Sequence, residues 1–426
     1  MKVLMQLLKT YYSRYKIYFQ STGLYLFASI FSAIIKVLIN PVMARNLSYQ
    51  DYSIIGYFSA FSILFMPLLN FQIVTYYLRN YYIFSKEKRE KAANTMLISL
   101  IGIGAIMSSL VLIILYFYLK INEVEYPFWP FALFTVFQLV FNNFLSLLQV
   151  TYRLQRDAKR FSKLAIFSSI SWLLIAVLLV VVFKLGAVGS MGANLLVAII
   201  FGLYSFKKTF TKLEFDFSIF KDALKFCWPL FVSAMLWYFL SGVDRVFLEK
   251  LNDTRSFALY NIGIGLSGYL VIIYTAIAQT FEPDIYKTIA TNKYRKLTKI
   301  ILSINTINAI PVFIFIILAT PITHILTGGR YTNAADFARI LSLKNISTGF
   351  YYSVITVIVG FGFTKAELGL RVLGAIISIL MFKLLISIYG FYGAAWGQVL
   401  SFLLMATFGI MFIIYIYKVK MIKISN

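Results

Sequence analysis

One cysteine and one histidine are all that 426 residues offer of the two side chains most used in metal and nucleophilic chemistry. Cys227 alone cannot close an intramolecular disulfide or build a thiolate metal cluster, and it reads as a buried, inert thiol. His324 falls in a predicted external loop near Gly328 and Gly329 without a carboxylate cluster, so neither a metal site nor a catalytic triad is expected, and no cofactor is assigned. The glycine-rich stretch TGGRY follows no strand and precedes no P-loop lysine, which argues against nucleotide binding. Acidic residues are also scarce, 16 against 40 basic ones. A glycan polymerase or membrane glycosyltransferase needs a substantial loop carrying carboxylates. The longest external loop, near Thr320 to Asp336, carries only that final Asp.

What is abundant is apolar. Hydrophobic residues make up 60% of the chain and charged ones 13%, with a mean hydropathy of +0.81. A water-soluble globule could not expose such a surface without aggregating, so the bilayer is the natural solvent. Stretches of about 20 apolar residues fall near Ile17–Ile39, Ser53–Leu78, Thr95–Leu119, Phe128–Val150, Leu164–Phe183 and Val188–Phe206. Six more lie near Cys227–Leu248, Phe257–Phe281, Ile300–Ala319, Phe337–Gly360, Val372–Tyr389 and Ala394–Tyr417. The expected fold is therefore all-α and integral to the membrane, with about twelve transmembrane helices. Lys2, Lys9, Arg14 and Lys16 precede the first apolar run as in a signal peptide. That run outlasts a signal sequence and lacks a small-residue cleavage pattern, so it reads as the first span.

The net charge of +24 invites a nucleic-acid reading, but its placement decides otherwise. Most basic residues lie in alternate loops: the amino terminus, Arg79 to Lys91, Arg153 to Lys163, Lys207 to Lys225, Lys287 to Lys299, Lys365 with Arg371, and the tail Lys418, Lys420 and Lys423. The opposite loops hold Arg45, Lys120, Lys184, Lys250, Arg255 and Arg330. Cytoplasmic loops retain positive charge during insertion, so both termini are expected in the cytoplasm and nucleic acid is not an expected partner.

A shift of 204 residues lays LGAVGSMGANLL from Leu185 on YGFYGAAWGQVL from Tyr389. Gly186 falls on Gly390, Gly189 on Gly393, and Asn194 on Gln398. Two halves are expected, residues 1–206 and 207–426. Each is a six-helix bundle, and an even number of spans gives both one orientation, related by a pseudo-twofold axis along the membrane normal. Such halves can rock about a central cavity, which implies transport; an old duplication kept only as a scaffold is the bland alternative.

Charged residues inside spans are the sharpest pointers to a site, each costing about 2.5–3.5 kcal/mol at a helix centre. Five basic residues qualify: Lys36, Arg245, Arg339, Lys344 and Lys383. All project onto the outer half of the membrane, where a cavity they lined would attract an anion. The competing reading is snorkelling to the headgroups, preferred for Arg339 and of equal weight for Lys36, Lys344 and Lys383. Arg245 has the strongest functional case, beside Asp244, the only carboxylate expected inside a span. Neighbours in sequence do not face each other on a helix, so Asp244 is expected to pair elsewhere or to bind a coupling cation. The intramembrane amides Asn70, Gln72, Gln138, Asn142, Asn143, Asn194, Gln279, Asn305, Asn308 and Gln398 suit sugar hydroxyls or interhelical hydrogen bonds. Pro67 and Pro311 are expected to kink their helices.

The segment FKDALKFCWPLFVSAMLWYFLSGVDRVFLEKLNDTRSFALYNIG, from Phe220, resembles the seventh-helix region of the Wzx-type polysaccharide flippases, with Pro229, the pair Asp244 and Arg245, and Tyr260 at the matching places. NPVMARNLSYQDYSIIGY from Asn40 is similar to that family's first external loop, and TYRLQRDAKRFSK from Thr151 to its basic loop after the fourth helix. The resemblance spans essentially the whole chain. It implies the fold shared with multidrug (MATE) exporters and lipid II flippases. It also implies a substrate, an undecaprenyl-diphosphate-linked oligosaccharide carried from the cytoplasmic to the outer leaflet of the bacterial plasma membrane for O-antigen, capsule or related glycans. The implied partners are that lipid-linked glycan, membrane lipids, and a polymerase or other glycan-assembly proteins. Independently, Lys and Arg in an outer-half cavity suit a lipid diphosphate. The chain departs from lipid II flippases, which usually carry two more helices, and from MATE exporters, which usually carry membrane carboxylates for ion coupling. An ion-coupled drug or metabolite antiporter of the same fold is the alternative reading.

Overall fold

The computed structural model describes residues 24, 27–28 and 30–425, without the side chains of 276, 279, 280, 283, 286, 290, 364 and 416–425. Lys2, Lys9, Arg14, Lys16, the start of the first expected span, and the side chains of Gln279, Lys418, Lys420 and Lys423 lie outside that description.

Helices run in the order α1 (30–46), α2 (Tyr49–Asn70), α3 (Ile73–Asn80), α4 (Lys86–Ile121), α5 (Phe131–Leu154), α6 (Ala158–Val177), α7 (Gly186–Thr209), α8 (Phe217–Ser241), α9 (Val243–Glu249), α10 (Thr254–Ala290), α11 (Tyr294–Leu326), α12 (Ala334–Gly360) and α13 (Thr364–Ser425). There is no strand among the described residues. Local chemistry sets several starts. Ser85, Asp157 and Asp253 each accept a hydrogen bond from the backbone N–H three residues on, satisfying a donor that the first helical turn would otherwise leave unpaired.

Among the described residues, nine helical stretches are long and apolar enough to cross a membrane. One of them, Lys365–Tyr415, is 51 residues long. At 1.5 Å per residue that is ~75 Å, enough for two crossings, and the backbone breaks inside it at Gly390, φ 55°. With α1 and the 27-residue α12, the protein is a multi-pass membrane protein of about twelve spans. Large apolar side chains are exposed along single faces, as at Ile310, Phe313, Ile314 and Ile317 on α11, an arrangement that only lipid can solvate.

Several helices differ from the expected spans. Ser53–Leu78 is two helices, because Phe71 and Gln72 take left-handed φ of 47° and 56°. Asn70 Oδ1 accepts from the Gln72 N–H at 2.8 Å, a local bond that competes with helix continuation. Cys227–Leu248 divides at Gly242, where an added Cβ would run into the Tyr238 ring. The span beginning at Leu164 ends in a π turn, Leu178–Val182. Helix α10 continues past Phe281 to Ala290, and α11 reaches Leu326, so the external loop expected from Thr320 shrinks to residues 327–333. His324 therefore lies in the last turn of α11 and not in a loop; its Nδ1 sits 3.2 Å from Thr332 Oγ1.

The chain forms two compact units, Met1–Asn46 with Phe65–Phe231, and Leu47–Leu64 with Val232–Asn426. In the first, α5 packs on α4 and α7 around Ile73, Met96, Leu97 and Leu147. In the second, α12 packs on α10, α11 and α13. Lipid tails are as apolar as leucine, so close packing and interhelical hydrogen bonds must hold these helices together. Small residues make that approach possible: a Cβ on Gly202 would meet the Phe141 carbonyl oxygen at 2.7 Å. The intramembrane amides are used the same way. Asn70 Nδ2 donates to Asn143 Oδ1 at 3.2 Å, Trp172 Nε1 to Asn194 Oδ1 at 2.8 Å, and Asn308 Nδ2 to the Asn345 carbonyl at 3.2 Å.

The repeat is visible in the backbone. Gly186 and Gly390 both hold left-handed φ, 52° and 55°, a conformation that costs glycine nothing. Gly189 and Gly393, three residues later, each face a carbonyl oxygen, of Leu179 and Leu385 respectively, with no room for a Cβ.

Candidate functional site

The break at Gly242 starts a short helix, α9, whose first turn carries Asp244 and Arg245, both buried, within the second unit. As their adjacency requires, they turn to different partners. Asp244 Oδ2 accepts from the Tyr260 hydroxyl at 2.5 Å and from Gln398 Nε2 at 2.6 Å, while Gln398 Nε2 also lies 3.2 Å from the Tyr260 oxygen. Charge-assisted bonds of this kind offset the cost of burying a carboxylate. Asp244 Oδ1 and Gln398 Oε1 have no hydrogen-bond partner among the described residues. Arg245 Nη1 donates to Ser59 Oγ at 2.8 Å and to the Gly56 carbonyl at 3.3 Å, which pins α9 to the 47–64 segment of α2.

Lys344 lies within electrostatic range of this pair, attracted by Asp244 and repelled by Arg245. Its ammonium sits 5.8 Å from the Phe402 ring centre and makes no salt bridge among the described residues. It lines an open cavity of about 470 Å³ walled by α8, α10, α11 and α12 of the second unit. One wall is aromatic: Tyr274 stacks on Tyr352 with centroids 6.1 Å apart, and Trp237 lies 6.0 Å from Tyr352. The polar lining includes Asn345, Thr348, Ser353 and Thr356, with Glu282 as the one carboxylate among the lining residues. The arrangement offers a desolvated cation for an anion, and rings and hydroxyls for a sugar or an apolar chain.

The other candidates stand apart from this cluster. Arg339 pairs with Asp336 at 2.7 Å and also donates to Thr320 Oγ1. Lys383 is exposed on α13, next to the buried Phe382. Lys36 is exposed on α1, in the first unit. The structure thus brings Asp244, Arg245 and Lys344 together. Sequence reasoning alone did not give Asp244 its partners. Tyr260 stands in the segment from Phe220 and Gln398 among the intramembrane amides, and nothing in the sequence links either to the carboxylate. Glu282 was missed because α10 outruns its apolar segment.

This multi-pass helical chain shares its fold with solved structures of a lipid II flippase and of MATE family transporters. The lipid II flippase MurJ in an inward closed conformation matches with a TM-score of 0.70 at 16% identity, over 92% of this chain and 87% of that one. An inward-facing multidrug resistance MATE family transporter of the MOP superfamily matches with a TM-score of 0.72 at 13% identity, over 89% and 93%. A MOP superfamily transporter from Pyrococcus furiosus, described by the reverse polarity of its binding pocket, matches with a TM-score of 0.63 at 14% identity, over 93% and 94%. No curated protein matches the sequence. The family of polysaccharide biosynthesis proteins matches residues 18–289, and the chain belongs to that family.

Proposed function

We propose that this protein is a flippase that carries undecaprenyl-diphosphate-linked oligosaccharide units from the cytoplasmic to the outer leaflet of the bacterial plasma membrane by alternating access. Both termini stay in the cytoplasm. Arg245 and Lys344 are the candidate cations along the path, Asp244 is the candidate coupling or structural carboxylate, and Lys36, Lys383 and Arg339, which stand apart from that cluster, are taken as cations at the headgroup level. A polymerase and other glycan-assembly proteins are the proposed partners downstream.

One observation carries the reading: the Lys344 ammonium, without a carboxylate bonded to it, on the wall of an aromatic-lined cavity. An uncompensated cation inside a membrane protein is costly unless an anion visits it. A diphosphate supplies that anion, and the rings beside it suit the attached sugars. The membership of the polysaccharide biosynthesis family supports the same substrate class. The test is native mass spectrometry of the purified protein with a short-chain polyprenyl diphosphate oligosaccharide. The wild type should retain the lipid and Lys344→Gln should lose it by at least roughly tenfold; equal retention would remove Lys344 from the substrate path.

The runner-up, an ion-coupled antiporter for organic cations, draws on Glu282 at the same cavity. It predicts that Glu282→Gln abolishes binding of a small aromatic cation such as ethidium, and that Lys344→Gln improves it.

A further inference from the structure

A second cavity, of about 530 Å³, lies wholly within the first unit, at the ends of α3, α5 and α7 and the starts of α4 and α6. Its walls join three loop regions of the charge-rich set that the positive-inside bias assigns to the cytoplasm. They bring four basic side chains to one place, Lys86, Arg89, Arg160 and Lys208, against a single carboxylate, Glu90. Part of that charge is committed. Arg160 pairs with Asp157 at 3.3 Å, and Arg89 donates Nε to the Phe84 carbonyl at 2.9 Å while its guanidinium lies 4.7 Å from the centre of the Tyr81 ring. Lys86 and Lys208 make no salt bridge among the described residues. The lining is polar too: Thr209 is among the lining residues and only 8% exposed, and its buried hydroxyl has no hydrogen-bond partner among the described residues. A buried donor left unpaired costs about 1–3 kcal/mol, so the site is better satisfied with an acceptor in it.

We propose that this cavity binds a phosphate group at the cytoplasmic face, supplied by the headgroup of an anionic glycerophospholipid or by free phosphate, at a site separate from the Lys344 cavity. Three features converge on that ligand. Phosphate oxygens accept from lysine ammonium groups and from a threonine hydroxyl together. Basic pockets between helices at the cytoplasmic side are suited to lipid headgroups, where the leaflet is negatively charged. The buried Tyr77, Tyr81 and Tyr152 side chains give the cavity a wall that is apolar in its rings and polar in its hydroxyls, suited to a headgroup. The proposal does not depend on the flippase reading, because it uses no residue of the second unit.

The test uses the full chain in nonionic detergent, titrated with phosphatidylglycerol or phosphatidylcholine and read by native mass spectrometry. Phosphatidylglycerol should be retained over phosphatidylcholine. The pair Lys86→Gln with Lys208→Gln should weaken it by roughly 25-fold, about fivefold for each lysine. Thr209→Val, which conserves shape, should weaken it severalfold and guards against a folding defect in the lysine pair. The pair Lys296→Gln with Lys299→Gln, exposed on α11 of the second unit, should leave it unchanged. If millimolar inorganic phosphate displaces the lipid, the phosphate group alone is the ligand; if it does not, the whole headgroup is, and both results sustain the site. Equal loss in the two lysine pairs, or no loss with Thr209→Val and Lys86→Gln/Lys208→Gln alike, would overturn it.

Discussion

The Tyr260 hydroxyl donates to Asp244 Oδ2 across 2.5 Å, joining α10 to α9 inside the second unit. With Gln398 Nε2 at 2.6 Å on the same oxygen, three helices meet on one carboxylate. Hydrogen bonds to a charged group are worth about 1.5–3 kcal/mol each. Tyr260→Phe and Gln398→Leu should each destabilise the detergent-solubilised protein by that order. Their double mutant should fall short of the sum, since both act on one oxygen. Thermal unfolding read by intrinsic fluorescence checks this. Additive effects, or losses below about 0.5 kcal/mol, would mean the carboxylate is held by other means.

Lys344 and Lys383 separate a cation in a cavity from one on a helix surface. Removing a desolvated charge from a bound anion costs about 2–5 kcal/mol, so Lys344→Gln should slow transport by more than ~30-fold. Lys344→Arg should recover part of it, and Lys383→Gln should change the rate less than about threefold. Initial rates in vesicles reconstituted to equal protein content provide the comparison.

Asp216, in the loop between α7 and α8, pairs with Lys91 at 3.0 Å. The Lys91 hydrogen bond, with backbone N–H groups from Ile219 and Ser218, holds its carboxyl below the usual 3.8. A depressed folded value means that the contribution is complete above the unfolded pKa and disappears as pH falls through the folded one. Melting temperatures of the wild type and Asp216→Asn should therefore differ by a constant amount near neutrality and converge from about pH 4 downward. A gap that widened in acid would contradict the assignment.

The close approaches at Gly189 and Gly393 should be intolerant of even a methyl group, because the opposing atoms are backbone carbonyls that cannot turn aside. Gly189→Ala and Gly393→Ala should each cost at least ~1–3 kcal/mol. Gly102→Ala, with nothing within 4 Å of its added carbon, should be neutral or stabilising. Expression level and melting temperature of the three variants decide it.

The helices were legible in the sequence because a span needs some 20 apolar residues, a signal that survives any tertiary arrangement. The repeat was legible too. The correspondence of Gly186 with Gly390 is a matter of letters, and the structure gives both a positive φ, 52° and 55°. The site was legible only in part. Lys36 and Lys383 lie in apolar runs and are exposed, while the burial of Asp244 and Arg245 follows from charges inside such runs. What they touch does not, since Gln398 lies 154 residues from Asp244 and no periodicity reports so distant a pairing. The breaks at Gln72 and Gly242 were hidden because apolar content continues through them, and hydropathy cannot see a backbone turn. Glu282 was lost the other way, because α10 continues as a helix after its apolar content ends. The basic loops mark orientation in the sequence. That three of them also close around Thr209 depends on how helix ends converge, which charge counting cannot show.

The central claim is translocation of a lipid-linked glycan, and a vesicle assay meets it most directly. Purified protein is reconstituted with a fluorescent undecaprenyl diphosphate oligosaccharide, and a membrane-impermeant lectin or glycosidase reports how much reaches the opposite leaflet over time. The account predicts exposure well above that of protein-free vesicles, strongly reduced by Lys344→Gln and unaffected by Lys383→Gln. Exposure no faster than in empty vesicles, with the wild-type protein folded and oriented, would contradict it.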